Sequence, residues 1–259
     1  MLFRSREEIK TIAIVARSKP DTKMRIVQAL QNNNEVVAVT GDGINDAPAL
    51  TKADVGIAMG IAGTEVSKNA ADIILTDDSF GTIVRGIKWG RGIYENFQRF
   101  IQFQITVNIV AFLTAILSVI FDFEMPFTTI QLLWVNIIMD GPPALSLGLE
   151  PVRDIVLKRK PVNRNSSIIT KNMLITMILN AIYITAVIMI QMVFNPLGAE
   201  VPPVGFKGPN EMETVLFALF AFNALFNAFN CREFGTNSIF PYFKNNKVAL
   251  QIIGITAVV

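Results

Sequence analysis

The sequence predicts an α/β partial domain followed by an all-α polytopic transmembrane bundle. Three observations carry this. Between residues 11 and 96, strand-like apolar runs alternate with helical stretches, the pattern of a parallel sheet with crossover helices. From residue 98 onward, apolar segments recur between polar loops, each long enough for a bilayer crossing of about 20 residues. Hydrophobic residues make up 51% of the 259 and the mean hydropathy is positive, which is high for a soluble protein.

Composition removes several kinds of chemistry. There is no His and one Cys, Cys231, so an intrachain disulfide, a His-based metal site and His acid–base catalysis are all excluded. A cation site must be built from oxygen, which favours Mg²⁺, Ca²⁺ or an alkali ion over zinc. The formal charge of +2 points to no nucleic-acid partner. Residues 1–10 are charged and the first long apolar segment comes only near residue 100, so no secretory signal peptide is expected.

In the first part, 1–96, strands are expected at 11–15, 35–39, 55–59 and 73–75, with helices at 22–31, 47–52 and 64–71. The strand count is small for a whole doubly wound domain, so this part reads as the C-terminal half of one. Pro20 and Asp21 suit a helix start, with Lys23 in the first turn. A cation there opposes the helix dipole, a hint that Lys23 faces an anion, although a merely solvated lysine would look the same.

The chain is organised around Thr40-Gly41-Asp42-Gly43-Ile44-Asn45-Asp46-Ala47-Pro48. The apolar run before it reads as a buried strand, and the stretch after it as a short helix capped by Asp46 or Asn45. The acidic pair therefore sits at a strand's carboxyl end, where open α/β sheets bind ligands. Glycines let backbone approach a phosphate, and Asp42 and Asp46 offer hard oxygens suited to Mg²⁺.

Residues 82–97 read as a charged amphipathic helix running without a proline into the first apolar span, 98–121. Further spans are expected at 128–149, 173–194 and 213–229, and a fifth starts near Val248. The loops after the second and fourth spans are basic; those after the first and third are not. The basic loops, and 1–96 with them, are therefore expected in the cytosol. Within the second span, Asn136 and Asp140 are spaced i, i+4 on one helix face. A carboxylate at that depth costs several kcal/mol unless it is paired or faces a cavity. Pro142 and Pro143 lack the N–H groups that would bond the carbonyls of Ile138 and Met139. Free carbonyls beside a carboxylate and an amide form an oxygen cage for a dehydrated cation; a proline kink with a hydrogen-bonded aspartate is the plainer alternative. Asn108, midway along the preceding span, is placed to complete the cage or to glue helices together. Asn223, Asn227 and Asn230 fit packing glue at least as well as ligation.

The string at 40–50 resembles the hinge motif of P-type ATPases, whose phosphorylation domain has the haloacid-dehalogenase fold. Ala-Arg-Ser-Lys-Pro-Asp-Thr-Lys at 16–23 resembles the segment bearing that family's phosphate-contacting lysine. Residues 56–68 and 72–78 are similar to plasma-membrane-type Ca²⁺ pumps, and Trp-Val-Asn-Ile-Ile-Met-Asp at 134–140 resembles the sixth transmembrane helix of Ca²⁺ pumps. The resemblance implies that the spans are transmembrane helices five to nine of a plasma-membrane pump. It implies that Asp42 binds catalytic Mg²⁺, that Asp46 and Asn45 organise the metal and phosphoryl site, and that Lys23 contacts the phosphate. Asn108, Asn136 and Asp140 would ligate the transported Ca²⁺, with ATP as substrate. Ala111, Met139 and Phe220 stand where reticulum-type pumps carry other side chains, which implies one Ca²⁺ per cycle. The chain has no Asp-Lys-Thr-Gly-Thr phosphorylation motif and no Thr-Gly-Glu actuator loop. It is therefore expected to work with an N-terminal portion carrying the phosphorylated aspartate and the nucleotide-binding domain, or else to be a pump for Na⁺, K⁺ or Mn²⁺, or an inactive membrane subunit.

Overall fold

The structure is a computed structural model that describes residues 8–139, 141–163, 165–201 and 211–233, together with 247, 250, 251 and 254. The chain divides into two compact units, Met1–Lys88 with Val162–Arg164, and Trp89–Pro161 with Asn165–Val259.

The first unit holds helices α1 (Glu8–Thr11) and α2 (Pro20–Gln31), strand β1 (Ala38–Gly41), helix α3 (Ala47–Lys52), strand β2 (Val55–Met59), helix α4 (Glu65–Ala70) and strand β3 (Ile73–Leu75). The strands form one parallel sheet in the order β1-β2-β3, with Ala38 opposite Val55 and Ile57 opposite Ile73. Helices α3 and α4 are the crossovers that parallel pairing requires. Val27, Val37 and Ala49 pack together beneath Leu30, Val39 and Ala53.

Two sequence expectations change here. Residues 12–15 form no strand: this run finds no ladder partner, and Ile14 is 87% exposed. The strand expected at 35–39 is Ala38–Gly41. Its start is set by Asp54, whose carboxylate accepts the Val37 N–H at 3.0 Å while its own N–H donates to the Val37 carbonyl. A side chain thus replaces the ladder at that point.

The helical unit is built on α5 (Phe80–Ile120), which continues unbroken from the charged stretch into the apolar one. Helix α6 (Thr129–Trp134) follows, then a π-helical turn at Val135–Met139, then α7 (Gly141–Gly148), α8 (Lys171–Phe194) and α9 (Glu211–Asn230). A buried cluster including Phe103, Val107, Leu147, Ile184 and Phe220 draws on α5, α7, α8 and α9. Among the described residues three helices, α5, α8 and α9, are long and apolar enough to cross a membrane. At 1.5 Å per residue, α8 and α9 reach roughly the 30 Å of a hydrocarbon core. Their outward residues, including Leu179, Ile182, Ile190 and Phe226, are apolar and exposed, as lipid-facing surfaces are.

The second expected span is not one helix. Thr128 and Gln131 form a reciprocal cap that starts α6. The wider π turn then precedes α7, with Pro142 and Pro143 in its first turn, where missing N–H groups are tolerated. The two prolines are accommodated by a break ahead of them. The expected start of a fifth span, Val248, lies outside the described residues.

Candidate functional site

In the first unit, everything converges on the turn after β1. Gly41 is there because Asp46 lies against it: a Cβ at 41 would stand 2.5 Å from the Asp46 Cβ. Asp46 precedes α3, but its side chain makes no cap bond to that helix, contrary to the expected role. Its carboxylate instead accepts the N–H groups of Asp42 and Gly43, each at 3.3 Å, and pairs with the Lys23 ammonium. Burial acts to raise the Asp46 pKa, yet the hydrogen bond from Lys23, the Gly43 N–H, the Lys23 charge and the Asp42 N–H together hold it below the ordinary value. Asp46 is thus an anchored anion.

Lys23 reaches this carboxylate from the first turn of α2, so its unfavourable place on the helix dipole is offset by a fixed anion. The Asp42 side chain is exposed. Its backbone is pinned, because its carbonyl accepts the Thr64 N–H at 2.8 Å and the Ser67 hydroxyl at 3.0 Å. Asn45 is exposed beside it. Among the described residues no three acidic or thiol groups cluster as a self-sufficient metal site. The donor set here, one exposed carboxylate on a pinned backbone beside one buried carboxylate, fits Mg²⁺, which is commonly held by one or two carboxylates and completes its octahedron with water and phosphate oxygens.

Thr64 and Ser67 were missed in the sequence. Thr64 caps α4 by accepting the Ser67 N–H, and Ser67 is fully buried; the Thr-x-x-Ser spacing before a short helix was the available signal. Asp78 was missed as well. Its carboxylate accepts the N–H groups of Gly60 at 2.6 Å, Ile61 at 3.0 Å and Ala62 at 2.7 Å, from a left-handed backbone at φ 48°. The Ala62 N–H, helped by those of Ile61 and Gly60, outweighs burial and the neighbouring Asp77 charge and lowers the Asp78 pKa. A lowered pKa contributes stability above the unfolded value, about 3.9, which is lost as pH falls through the folded value. The amide shifts of Gly60, Ile61 and Ala62 should therefore titrate together with a midpoint below that of free aspartate, and Asp78→Asn should abolish the titration. An NMR titration of the chain in detergent, labelled at glycine, isoleucine and alanine, checks both outcomes.

In the helical unit, Asn136 lies in the π turn and lines a cleft of about 480 Å³ with Asn96, Phe100, Gln104, Ala144 and Gly148 among others. Asn108 lies on α5, exposed, and is not among the residues lining that cleft. Asp140 lies outside the described residues. Of the α9 amides, Asn227 accepts a hydrogen bond from Asn180 of α8 at 3.1 Å, which joins the two helices, while Asn223 donates to the Leu219 carbonyl of its own helix at 2.8 Å.

An ionic cluster lies where α5, the segment after α7 and the residues after α9 meet, buried at Arg232–Glu150 and open to the surface at Arg159, which is 53% exposed. Arg232 pairs with Glu150 at 2.8 Å, both side chains 2% exposed. Arg153 pairs with Glu233, and Arg159 with Glu95. Gly92 allows this approach: a Cβ there would meet the Val152 Cγ2 at 2.2 Å. In the sequence Arg153, Arg159 and Arg232 read only as charges of basic loops, and Glu95 as part of the charged stretch 82–97.

A strand-end acidic turn locked to a lysine, in a chain that also carries membrane-length helices, fits the C-terminal part of a cation-transporting ATPase. Family models agree. Residues 124–259 match "Cation transporting ATPase, C-terminus", and residues 2–87 match "haloacid dehalogenase-like hydrolase". The chain belongs to the cation-transporting ATPases and is a multi-pass membrane protein. It is 40% identical over 98% of its length to "Calcium-transporting ATPase 9, plasma membrane-type" of Arabidopsis thaliana, of which it covers 24%. It is 43% identical over 97% to "Calcium-transporting ATPase 1, plasma membrane-type" of Oryza sativa subsp. japonica, again covering 24% of that protein. It is 44% identical over 96% to "Calcium-transporting ATPase 2, plasma membrane-type" of Arabidopsis thaliana, covering 25%. The chain thus spans about a quarter of the length of these curated relatives. A solved structure described as "Conformational changes in the catalytic domain of the CPx-ATPase CopB- B upon nucleotide binding" is 48% identical over 26% of this chain and 26% of that one, with a TM-score of 0.25.

Proposed function

We propose that this chain is the C-terminal part of an ATP-driven pump that exports Ca²⁺ across the plasma membrane through an aspartyl-phosphate cycle, with one Ca²⁺ site. The observation that carries the reading is the Lys23–Asp46 pair locked behind Asp42 at the end of β1, in a chain whose relatives are named calcium-transporting ATPases. ATP is bound, and the aspartate phosphorylated, in the N-terminal portion that those relatives possess beyond the matched quarter. Residues 1–96 face the cytosol and 97–259 form the transmembrane domain, with its ends in the lipid bilayer set by the basic loops.

In this reading the exposed Asp42 carboxylate holds Mg²⁺, with Asp46 and Asn45 ordering the site around it. When bound, the ion supplies positive charge that offsets charge on the transferring phosphoryl oxygens. Lys23 contributes a fixed positive charge to the same oxygens, and Asp46 keeps its ammonium in place. Asp42 is presented on backbone held by Thr64 and Ser67, so its position costs no reorganisation when phosphate arrives. Asn108, Asn136 and Asp140 ligate Ca²⁺, assisted by carbonyls that Pro142 and Pro143 leave without N–H partners.

An ATPase assay on the complete pump, with Ca²⁺, Na⁺, K⁺ and Mn²⁺ as competing activators, tests the reading. Activation by micromolar Ca²⁺ against millimolar Na⁺ and K⁺ is expected. Activation by one of the other ions alone would reassign the cargo, and no activation by any of them would leave the chain a non-enzymatic membrane subunit.

A further inference from the structure

The buried polar groups at one end of the helical unit close into a ring. Asn96 of α5 spends both hydrogens of its amide on the end of α7, donating to the Gly148 carbonyl at 3.0 Å and the Glu150 carbonyl at 2.9 Å. Its Oδ1 accepts from Arg99 one turn later. Arg99 donates through Nε to the carbonyl of Arg232 at 3.0 Å, and Arg232 returns to the Glu150 carboxylate at 2.8 Å. All four residues are buried, with Asn96 the most exposed at 7%. None belongs to the phosphate site or to the proposed Ca²⁺ ligands.

Burying two arginines and a glutamate is unfavourable unless each is matched, and apolar residues of similar volume would often serve stability as well or better. What such a ring supplies is register. Sliding α5 along α7 would break both bonds from Asn96, and the one to the Glu150 carbonyl is buried, where its loss is costly. Helix α7 is only eight residues long, about 12 Å of rigid rod. Its far end begins at Gly141, directly after Asp140. Helix α5 carries Asn108 twelve residues beyond Asn96. The helices bearing Asn108 and adjoining Asp140 are therefore bolted together at one end by a single amide.

We propose that Asn96 is a positioning residue for transport: braced by Arg99 and the Arg232–Glu150 pair, it couples displacement of α5 to α7 and so to Gly141, the residue that follows Asp140 in the sequence. This rests on the pump reading above. Asn96 borders the cleft that Asn136 lines, but its amide is engaged by Gly148, Glu150 and Arg99, and it acts through the carbonyl end of α7.

The test uses the complete pump in sealed vesicles, with ⁴⁵Ca²⁺ uptake and ATP hydrolysis measured side by side. Asn96→Asp keeps the volume and an acceptor for Arg99 but cannot donate to the two carbonyls; Asn96→Ala removes the side chain. Both variants should hydrolyse ATP within about twofold of the unsubstituted pump per folded molecule, while Ca²⁺ moved per ATP falls at least fivefold. A merely structural residue would lower uptake and hydrolysis together, so an unchanged ratio overturns the proposal. Loss of folded pump in both variants overturns it too, since Asn96 would then serve the fold alone. Absence of Ca²⁺-stimulated hydrolysis in the unsubstituted pump is the separate result that overturns the pump reading.

Discussion

Asp46→Asn is expected to slow formation of the phosphoenzyme in the complete pump by a factor on the order of 10²–10³, the usual consequence of removing one preorganised electrostatic group from such a site. The argument starts from the ammonium of Lys23. In the structure its position is held by the Asp46 carboxylate, and that carboxylate is itself fixed by the N–H groups of Asp42 and Gly43. Asparagine is close in size and still has an oxygen for those N–H groups, but it carries no charge to hold the lysine. The cation then relaxes toward water, which it can do because the Lys23 side chain is already 38% exposed. The fold should survive for the same reason, since no charge is left stranded in the interior. Gly41→Ala reaches the same end by another route, because its Cβ would drive into the Asp46 side chain. Rapid-quench measurement of phosphoenzyme from labelled ATP reads the effect. A rate within threefold of the unsubstituted pump would remove Asp46 from the chemistry.

Asp140→Asn should abolish Ca²⁺-dependent phosphoenzyme and Ca²⁺ uptake altogether, while leaving the protein inserted in the membrane. Asp140 is the only carboxylate within the second apolar segment, 128–149. A dehydrated divalent cation in a site of low polarity depends on that negative charge far more than on neutral amide or carbonyl oxygens. Insertion should not suffer, because an amide is less costly than a carboxylate at that depth. Folded pump recovered from membranes, with no uptake and no Ca²⁺-dependent phosphorylation, is the expected outcome. Normal uptake would remove Asp140 from the cargo path.

Much of this was legible beforehand, and the reasons are specific. Residues 55–59 and 73–75 appear as β2 and β3 at the expected bounds, because short apolar runs between polar turns have few alternatives in a parallel sheet. Residues 173–194 and 213–229 appear as α8 and α9 within two residues at either end, because a long apolar stretch with capping residues is close to self-sufficient as a helix. The run at 11–15 failed for the opposite reason: a strand exists only if a neighbour bonds it, and a sequence window contains no neighbours. The break in the second span was legible in kind, because Pro142 and Pro143 withhold N–H groups from carbonyls a turn earlier; that it takes the form of a π turn was not.

The amino-acid sequence alone determined which chemistries were open to this protein: oxygen-based cation binding, phosphate at a strand end, and a membrane half carrying a carboxylate. Those follow from residue type and local spacing, which are one-dimensional facts. Only the tertiary structure decided that Asp46 serves Lys23 rather than its own helix, that Thr64 and Ser67 fix the backbone of Asp42, and that Asn96, Arg99, Glu150 and Arg232 form one buried ring. Apart from the Asn96–Arg99 bond within one turn of α5, the partners in those contacts are separated by 22 to 133 positions along the chain. Whether a charge is stranded or matched depends on what the fold brings within about 3 Å of it, and no local pattern of residues carries that distance.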